Sequence, residues 1–286
     1  MEPTAGSPTQ AALARQRAVR ARERADRASE LAQRYESLAE ESAERSFDGL
    51  YQRLAHIHRS TAGRHRVAAE LLDAHARRAH EWVREGGPPP LFMTGVGEAC
   101  GTNSVAVVLV DGERNQLATA SSDQPSCNAQ DLEFVLGEGP VDDAVRDRGP
   151  VEVAGAALSS RWPGYGPAVR ALGIGQVVAV PLQVPGECIG ALAVFDPHPD
   201  TASTRLFAEV ADALTRSVLL GQDAVPGLFG GIDYRAVVHQ AAGMAAVQLQ
   251  CQVADALEMV KARAFAEGRR IGDVARDIVH GQLKLG

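Results

Sequence analysis

Lysine is nearly absent from this 286-residue chain, which holds only Lys261 and Lys284. Any site that needs a lysine before residue 261 is therefore excluded. That removes a Walker A phosphate loop, the ATP-pairing lysine of a protein kinase and the lysine of a receiver domain. Histidine is missing from 88 to 197, so a hydrolytic centre there would lack an imidazole base. The four cysteines, Cys100, Cys127, Cys188 and Cys251, show no C-x-x-C or other metal spacing. Buried thiols in a reducing compartment are the expectation, with Cys127, flanked by Ser126 and Asn128, the one that reads as exposed. No run of about eighteen apolar residues exists, so no membrane span is expected. The first ten residues lack a charged start followed by an apolar core, and the expected location is the cytoplasm.

Charge is unevenly spread. Residues 1–87 carry 15 Arg against 13 acids, a net of +2. Residues 88–222 carry 7 Arg against 16 acids, a net of −9, and should repel polyanions. Residues 223–286 are neutral, with 7 basic residues and 7 acids, so no basic footprint marks the tail as a whole.

From Gln10 to Arg84 the chain has no Pro and only two Gly, and it is rich in Ala, Arg and Glu. Leu50, Leu54, Ile57, Thr61, Arg64, Ala68, Leu71, His75, Ala79 and Trp82 recur at alternating fours and threes, the spacing of a heptad seam. Ala28, Leu31, Tyr35, Leu38 and Ser42 keep a weaker version. A continuous helix would be about 110 Å long and could not bury its own stripe. A partner helix must come either from a hairpin, turning near Phe47-Asp48-Gly49, or from a second chain. The five histidines His56, His58, His65, His75 and His80 share no metal-binding face and belong to the surface or the seam.

Gly86-Gly87-Pro88-Pro89-Pro90 ends the arm. Short elements follow: a helix near 91–100, strands at 104–110 and 116–121, helices near 129–136 and 141–147, and a strand at 151–153. A helix near 166–172, a hairpin of 177–184 with 188–195, and a closing helix near 201–220 complete the pattern. Leu136-Gly137-Glu138-Gly139-Pro140, Arg161-Trp162-Pro163, Val180-Pro181-Leu182 and Ile189-Gly190-Ala191-Leu192 resemble the GAF domain, in that order and spacing. The resemblance implies a mixed, mainly antiparallel sheet flanked by helices, with a small-molecule pocket in many members. By position, Phe134, Trp162, Tyr165 and Phe195 are the candidate lining. Trp162 and Tyr165 have an equal alternative as caps on the core beneath a loop.

The last stretch, Asp233 to Leu283, reads as three amphipathic helices. Asp233 is placed to cap the first, and Gly268 to stop the second in a left-handed conformation. Gln240-Ala241-Ala242-Gly243-Met244, Asp255-Ala256-Leu257, Ala264 and Ile271-Gly272-Asp273-Val274-Ala275 resemble the ANTAR module, a three-helix RNA-binding domain of bacterial antitermination regulators. Two departures stand out: Ala242 occupies the family's usual Lys position, and Gln252 its usual Ser cap. The resemblance implies RNA contacts by Gln240, Ala241, Ala242 and Gly243. Lys261, Arg263, Arg269, Arg270 and Arg276 are the candidates for holding phosphates or stacking on loop bases.

The fold class expected is multidomain α+β: a helical, coiled-coil arm (10–85), a GAF-like sensor (88–222) and an ANTAR-like three-helix bundle (231–284). The expected function is signal-responsive transcription antitermination through hairpin RNA. The alternative is a degenerate protein of the same build that serves dimerisation or protein interaction without RNA. The expected partners are RNA, a second copy of the chain, and a small-molecule or protein signal at the sensor. No enzyme activity, metal or cofactor is expected.

Overall fold

The computed structural model describes residues 8–41, 48–85, 90–200, 203–220 and 234–285. The expected cap Asp233, the break at 86–89 and the turn residue Phe47 lie outside these. The described residues form two compact units, one drawn from 1–99 and 209–228 and the other from 100–208 and 229–286.

The first unit begins with two long helices, α1 (Pro8–Glu41) and α2 (Asp48–Glu85). Between the two partners left open by sequence, the hairpin supplies the packing. Ala14, Ala18, Ala21, Ala25, Ala28, Ala32 and Ala39 are buried along α1 at alternating fours and threes. Each methyl contributes only about 0.8 kcal/mol when buried. The seam works by letting the helices approach closely along its whole length. Tyr35 stacks on His58 (5.3 Å) and Tyr51 (6.4 Å), and the ion pairs Arg22–Asp73 and Glu36–Arg59 set the antiparallel register. The face of α2 that meets α1 therefore runs through Tyr51, Ala55, His58, Ala62 and Ala69, beside the heptad seam expected there. Of that expected seam, Ala68, Leu71 and Ala79 are buried, and His75 meets Phe92 of the short α3 (Phe92–Ala99) edge-on at 5.6 Å. Its other end is uncovered, with Leu50 44% and Ile57 56% exposed.

The second unit is built on a five-stranded sheet: β1 (Ser104–Val110), β2 (Gln116–Ser121), β3 (Val151–Ala154), β4 (Gln176–Val184) and β5 (Glu187–Phe195). The order is β2-β1-β5-β4-β3, and every pairing among the described strands is antiparallel, simpler than the mixed sheet expected. Gly190 has φ 153°, and a Cβ there would lie 2.0 Å from the Val108 carbonyl oxygen, so only glycine permits this approach of β5 to β1. Helices α4 (Gln124–Leu136), α5 (Pro140–Asp147), α6 (Ala156–Arg161) and α7 (Tyr165–Ala171) accompany the sheet, and their core gathers Val108, Val141, Leu158, Trp162, Tyr165, Val177 and Phe195. Helix α8 (Thr204–Ala213) continues as a π-helical turn, Leu214–Leu219.

Three helices close the chain: α9 (Tyr234–Leu249), α10 (Val253–Glu267) and α11 (Ile271–Val279). Val238, Ala241, Val260, Ala264, Ile271, Val274, Ala275 and Ile278 form their shared core, and Gly268 ends α10 at φ 60°. The ends of the molecule are thus helical and the centre is an antiparallel sheet.

Candidate functional site

Helix α4 is the element on which the site is built. Pro125 in its first turn and a capping box fix its start. Asp123 accepts from Ser126 N–H at 2.9 Å, and the Ser126 hydroxyl oxygen accepts from Asp123 N–H at 3.4 Å. The helix therefore begins five residues before the expected Ala129. Gly137 ends it at φ 66°. The next residues of that motif each have a local task. Glu138 accepts from Gly164 N–H (2.6 Å) and Tyr165 N–H (2.8 Å), tethering the Arg161–Tyr165 loop. Gly139 leaves room for Glu133, because a Cβ would sit 2.5 Å from the Glu133 carboxyl carbon.

The inward face of α4 carries Ala129, Leu132, Leu136 and Glu133 towards the sheet core. Glu133 is fully buried and accepts from Asp142 N–H at 2.8 Å. Burial pushes its carboxyl from 4.5 up to about 8, against the pull of the donating N–H groups of α5, so it is largely protonated at neutral pH.

The outward face meets the C-terminal helices. Asp131 Oδ1 accepts from Arg235 Nη1 at 3.2 Å, and Asp131 Oδ2 from Arg270 Nε at 3.4 Å. Arg235 also donates to the Gln130 carbonyl at 3.1 Å, and its side chain is wholly buried. Phe134 lies between two cations, with the Arg235 guanidinium 3.9 Å and Lys261 Nζ 4.5 Å from its ring centroid. Arg270 Nη2 approaches Cys127 Sγ at 2.9 Å. One turn after Arg235, His239 Nε2 donates to the Gln116 carbonyl of β2 at 2.9 Å. Ala242 follows on the same stripe and is completely buried. Burial raises the Asp131 carboxyl pKa despite both arginines, so here desolvation outweighs the pairing.

The nine candidate RNA residues divide accordingly. Lys261 and Arg270 are drawn to α4, and Lys261 also holds Glu258 at 2.8 Å. Arg263 pairs with Glu267, Arg269 with Glu267 and Asp277, and Arg276 with Asp273, all at the surface. Gln240 is exposed and Gly243 half-buried, whereas Ala241 and Ala242 are packing residues, each 0% exposed. Sequence reasoning missed Arg235, His239 and Asp131. Arg235 sits at the very start of α9, outside the apolar stripe, and Asp131, which pairs with it, is 104 residues away.

The four candidate pocket residues are not brought together. Trp162, Tyr165 and Phe195 share the sheet core. Trp162 meets Tyr165 edge-on at 5.9 Å, and its Nε1 donates to Asp143 at 3.2 Å. Phe134 belongs to the C-terminal cluster on the other side of α4. Two open hollows stand out among the described residues. One, of about 800 Å³, lies along α1 and α2 beside Arg15, Val19, Arg22, Asp73 and Arg77. The other, of about 290 Å³, is lined by Asp111, Arg114, Arg146, Arg148, Glu187 and Cys188. None of the four aromatics lines either.

The thiols are spread out. Cys127, expected to be exposed, is 7% exposed, with Arg270, just before α11, against its sulfur. Burial raises Cys100 from 9.0 to about 12, which removes its thiolate at neutral pH. Among the described residues no group of three or more His, Cys, Asp or Glu gathers as a metal site. No helix of the described residues is long and apolar enough to cross a membrane.

No curated protein matches the chain. Residues 90–218, from α3 through the sheet to the π-helical turn, match the GAF domain family, so the centre of the chain is a GAF domain, a type of module that suggests signal sensing and the binding of ligands or proteins.

Proposed function

We propose that the chain is a non-enzymatic, signal-responsive antitermination regulator whose C-terminal helices bind hairpin RNA when the GAF domain releases them. The observation that carries this reading is the placement of Lys261 and Arg270, two candidate phosphate or base contacts, against Asp131 and Phe134 of α4. RNA as the partner rests on the resemblance of residues 233–283 to the ANTAR module. A signal that shifts α4 changes the cations open to RNA, and needs differential affinity for the two arrangements to do so. Titrating salt against binding of a tandem-hairpin RNA tests the reading. Phosphate contacts give a steep loss of affinity as salt rises. The same slope for a neutral polymer of equal length would contradict it.

A second reading is favoured by Ala242, which puts a buried methyl where the family has a lysine, and by the neutral tail. In it the helices are a protein-interaction module. Absence of RNA binding even at low salt, by both wild type and Ala242→Lys, would transfer the proposal to that reading.

The protein acts as a homodimer in both readings, through the stretch of α2 that exposes Leu50 and Ile57 and half-buries Leu54. Light scattering should give twice the chain mass, and Leu54→Asp should lower it; a monomeric wild type at micromolar concentration contradicts the dimer.

A further inference from the structure

We infer that α4 holds the C-terminal helices by imitating a nucleotide, and that the slot bounded by Arg235, Lys261 and Arg270 receives one unpaired RNA base with its phosphate. This rests on the RNA-binding reading above and names the site within it.

The ring of Phe134 is flanked by cations from two different helices, Arg235 of α9 at 3.9 Å and Lys261 of α10 at 4.5 Å. One helical turn earlier on α4, the Asp131 carboxylate is gripped by Arg235 and by Arg270 at the start of α11. A flat π-system in contact with two cations, with a carboxylate one turn away held by two guanidinium groups, has the chemistry of a base and its phosphate. Guanidinium planes stack on unpaired bases in RNA recognition, and their N–H forks suit phosphate oxygens.

Arg235 adds a second line of argument. Its side chain is 0% exposed, and one acidic group that pairs with it, Asp131, lies outside the three-helix module. Burying a cation is costly, and part of what offsets that cost for Arg235, the Asp131 carboxylate and the Gln130 carbonyl, is supplied by α4 and not by the three helices themselves. Such a cation is suited to a place where one anion can replace another. Ala242 is buried on the same helical stripe as Arg235 and His239. A lysine there would add a third cation on the stripe that carries Arg235 and His239.

The test uses the full-length protein, an RNA hairpin with a loop of unpaired purines, and a blunt duplex of the same stem. Asp131→Asn with Phe134→Ala should raise hairpin affinity about tenfold, in the range of one stacked base, and leave duplex affinity unchanged. Adding Arg235→Gln should remove the gain. In wild-type protein, hairpin binding should speed hydrogen exchange in residues 124–136, a readout that stands if the double variant folds poorly. Hairpin binding with unchanged exchange in α4 and no gain in the variant would overturn the slot while leaving RNA binding intact. An equal gain for the duplex would reduce the site to phosphate attraction and overturn the base slot. No binding of either RNA by either protein would remove the RNA reading itself, and the slot with it.

Discussion

The two faces of α4 solve the burial of a carboxylate in different ways. Glu133, on the inward face, has backbone N–H donors from the start of α5 and no cation, and it stays largely protonated. Asp131, on the outward face, has two arginines from helices that follow more than a hundred residues later. The inward carboxyl is satisfied by neutral donors, the α5 N–H groups and the Gln130 amide at 3.4 Å, above a largely apolar core. The outward cluster is made of charges and a ring, shared between α4 and the C-terminal helices. One helix thus carries a carboxyl group facing the sheet core and another paired with the C-terminal helices, and the proposed regulation would act through the second.

Removing the charge from the outward face should have the largest effect. Asp131→Ala leaves Arg235 buried without its carboxylate, a loss of about 3–5 kcal/mol in docking or stability. Urea unfolding, together with hydrogen exchange across α9, should show it. A loss below about 1 kcal/mol would mean that apolar packing alone holds the two parts together, and the contrast between the faces would fail.

Glu133→Gln sharpens the other side of the comparison. The folded value of about 8 exceeds the ordinary 4.5, so between these pH values the folded state holds a proton that the unfolded state has lost. The stabilising contribution is complete below pH 4.5 and disappears as pH rises towards 8, on the order of a few kcal/mol in total. The variant should lack this fall, measured as urea midpoints at pH 5 and pH 8.5 with α9–α11 docked. Parallel pH profiles for wild type and variant would show that Glu133 is ionised in the fold.

Ala242→Lys should have a smaller effect, about 1–3 kcal/mol against docking, because a lysine stem can carry its ammonium out to the edge of the contact. Faster exchange in α9 without loss of helix content is the expected result, and unchanged protection would place Ala242 away from the docked face.

Much of this architecture was legible in the residues. The Val-rich runs of β1, β4 and β5 and the stripes of α9 and α10 have the periodicities of their elements, and Gly268 marks a helix end because a left-handed residue is needed there. The start of α4 was missed because Pro125 and Ser126 look like loop residues until Asp123 is seen as their cap. The hairpin seam was misplaced by one face, since its alanines are less conspicuous than Leu50, Leu54 and Ile57. The site was only partly visible. Lys261 and Arg270 stand out as cations in the module, but nothing near Arg235 in the chain reveals that its counter-charge is Asp131. Phe134 is a candidate pocket residue by its position near a loop, but it faces away from its neighbours Leu132 and Leu136, because two residues along a helix reverse the direction.

The central claim is that the GAF domain restrains an RNA-binding module by covering its cations. Its most direct test compares the affinity of residues 231–286 and of the full chain for the same tandem-hairpin RNA at one low salt concentration, with circular dichroism confirming helices in the fragment. The account predicts tighter binding by the fragment, and loss of the difference when Lys261 and Arg270 are both changed to Glu. Equal affinity of a folded fragment and the full chain would contradict it.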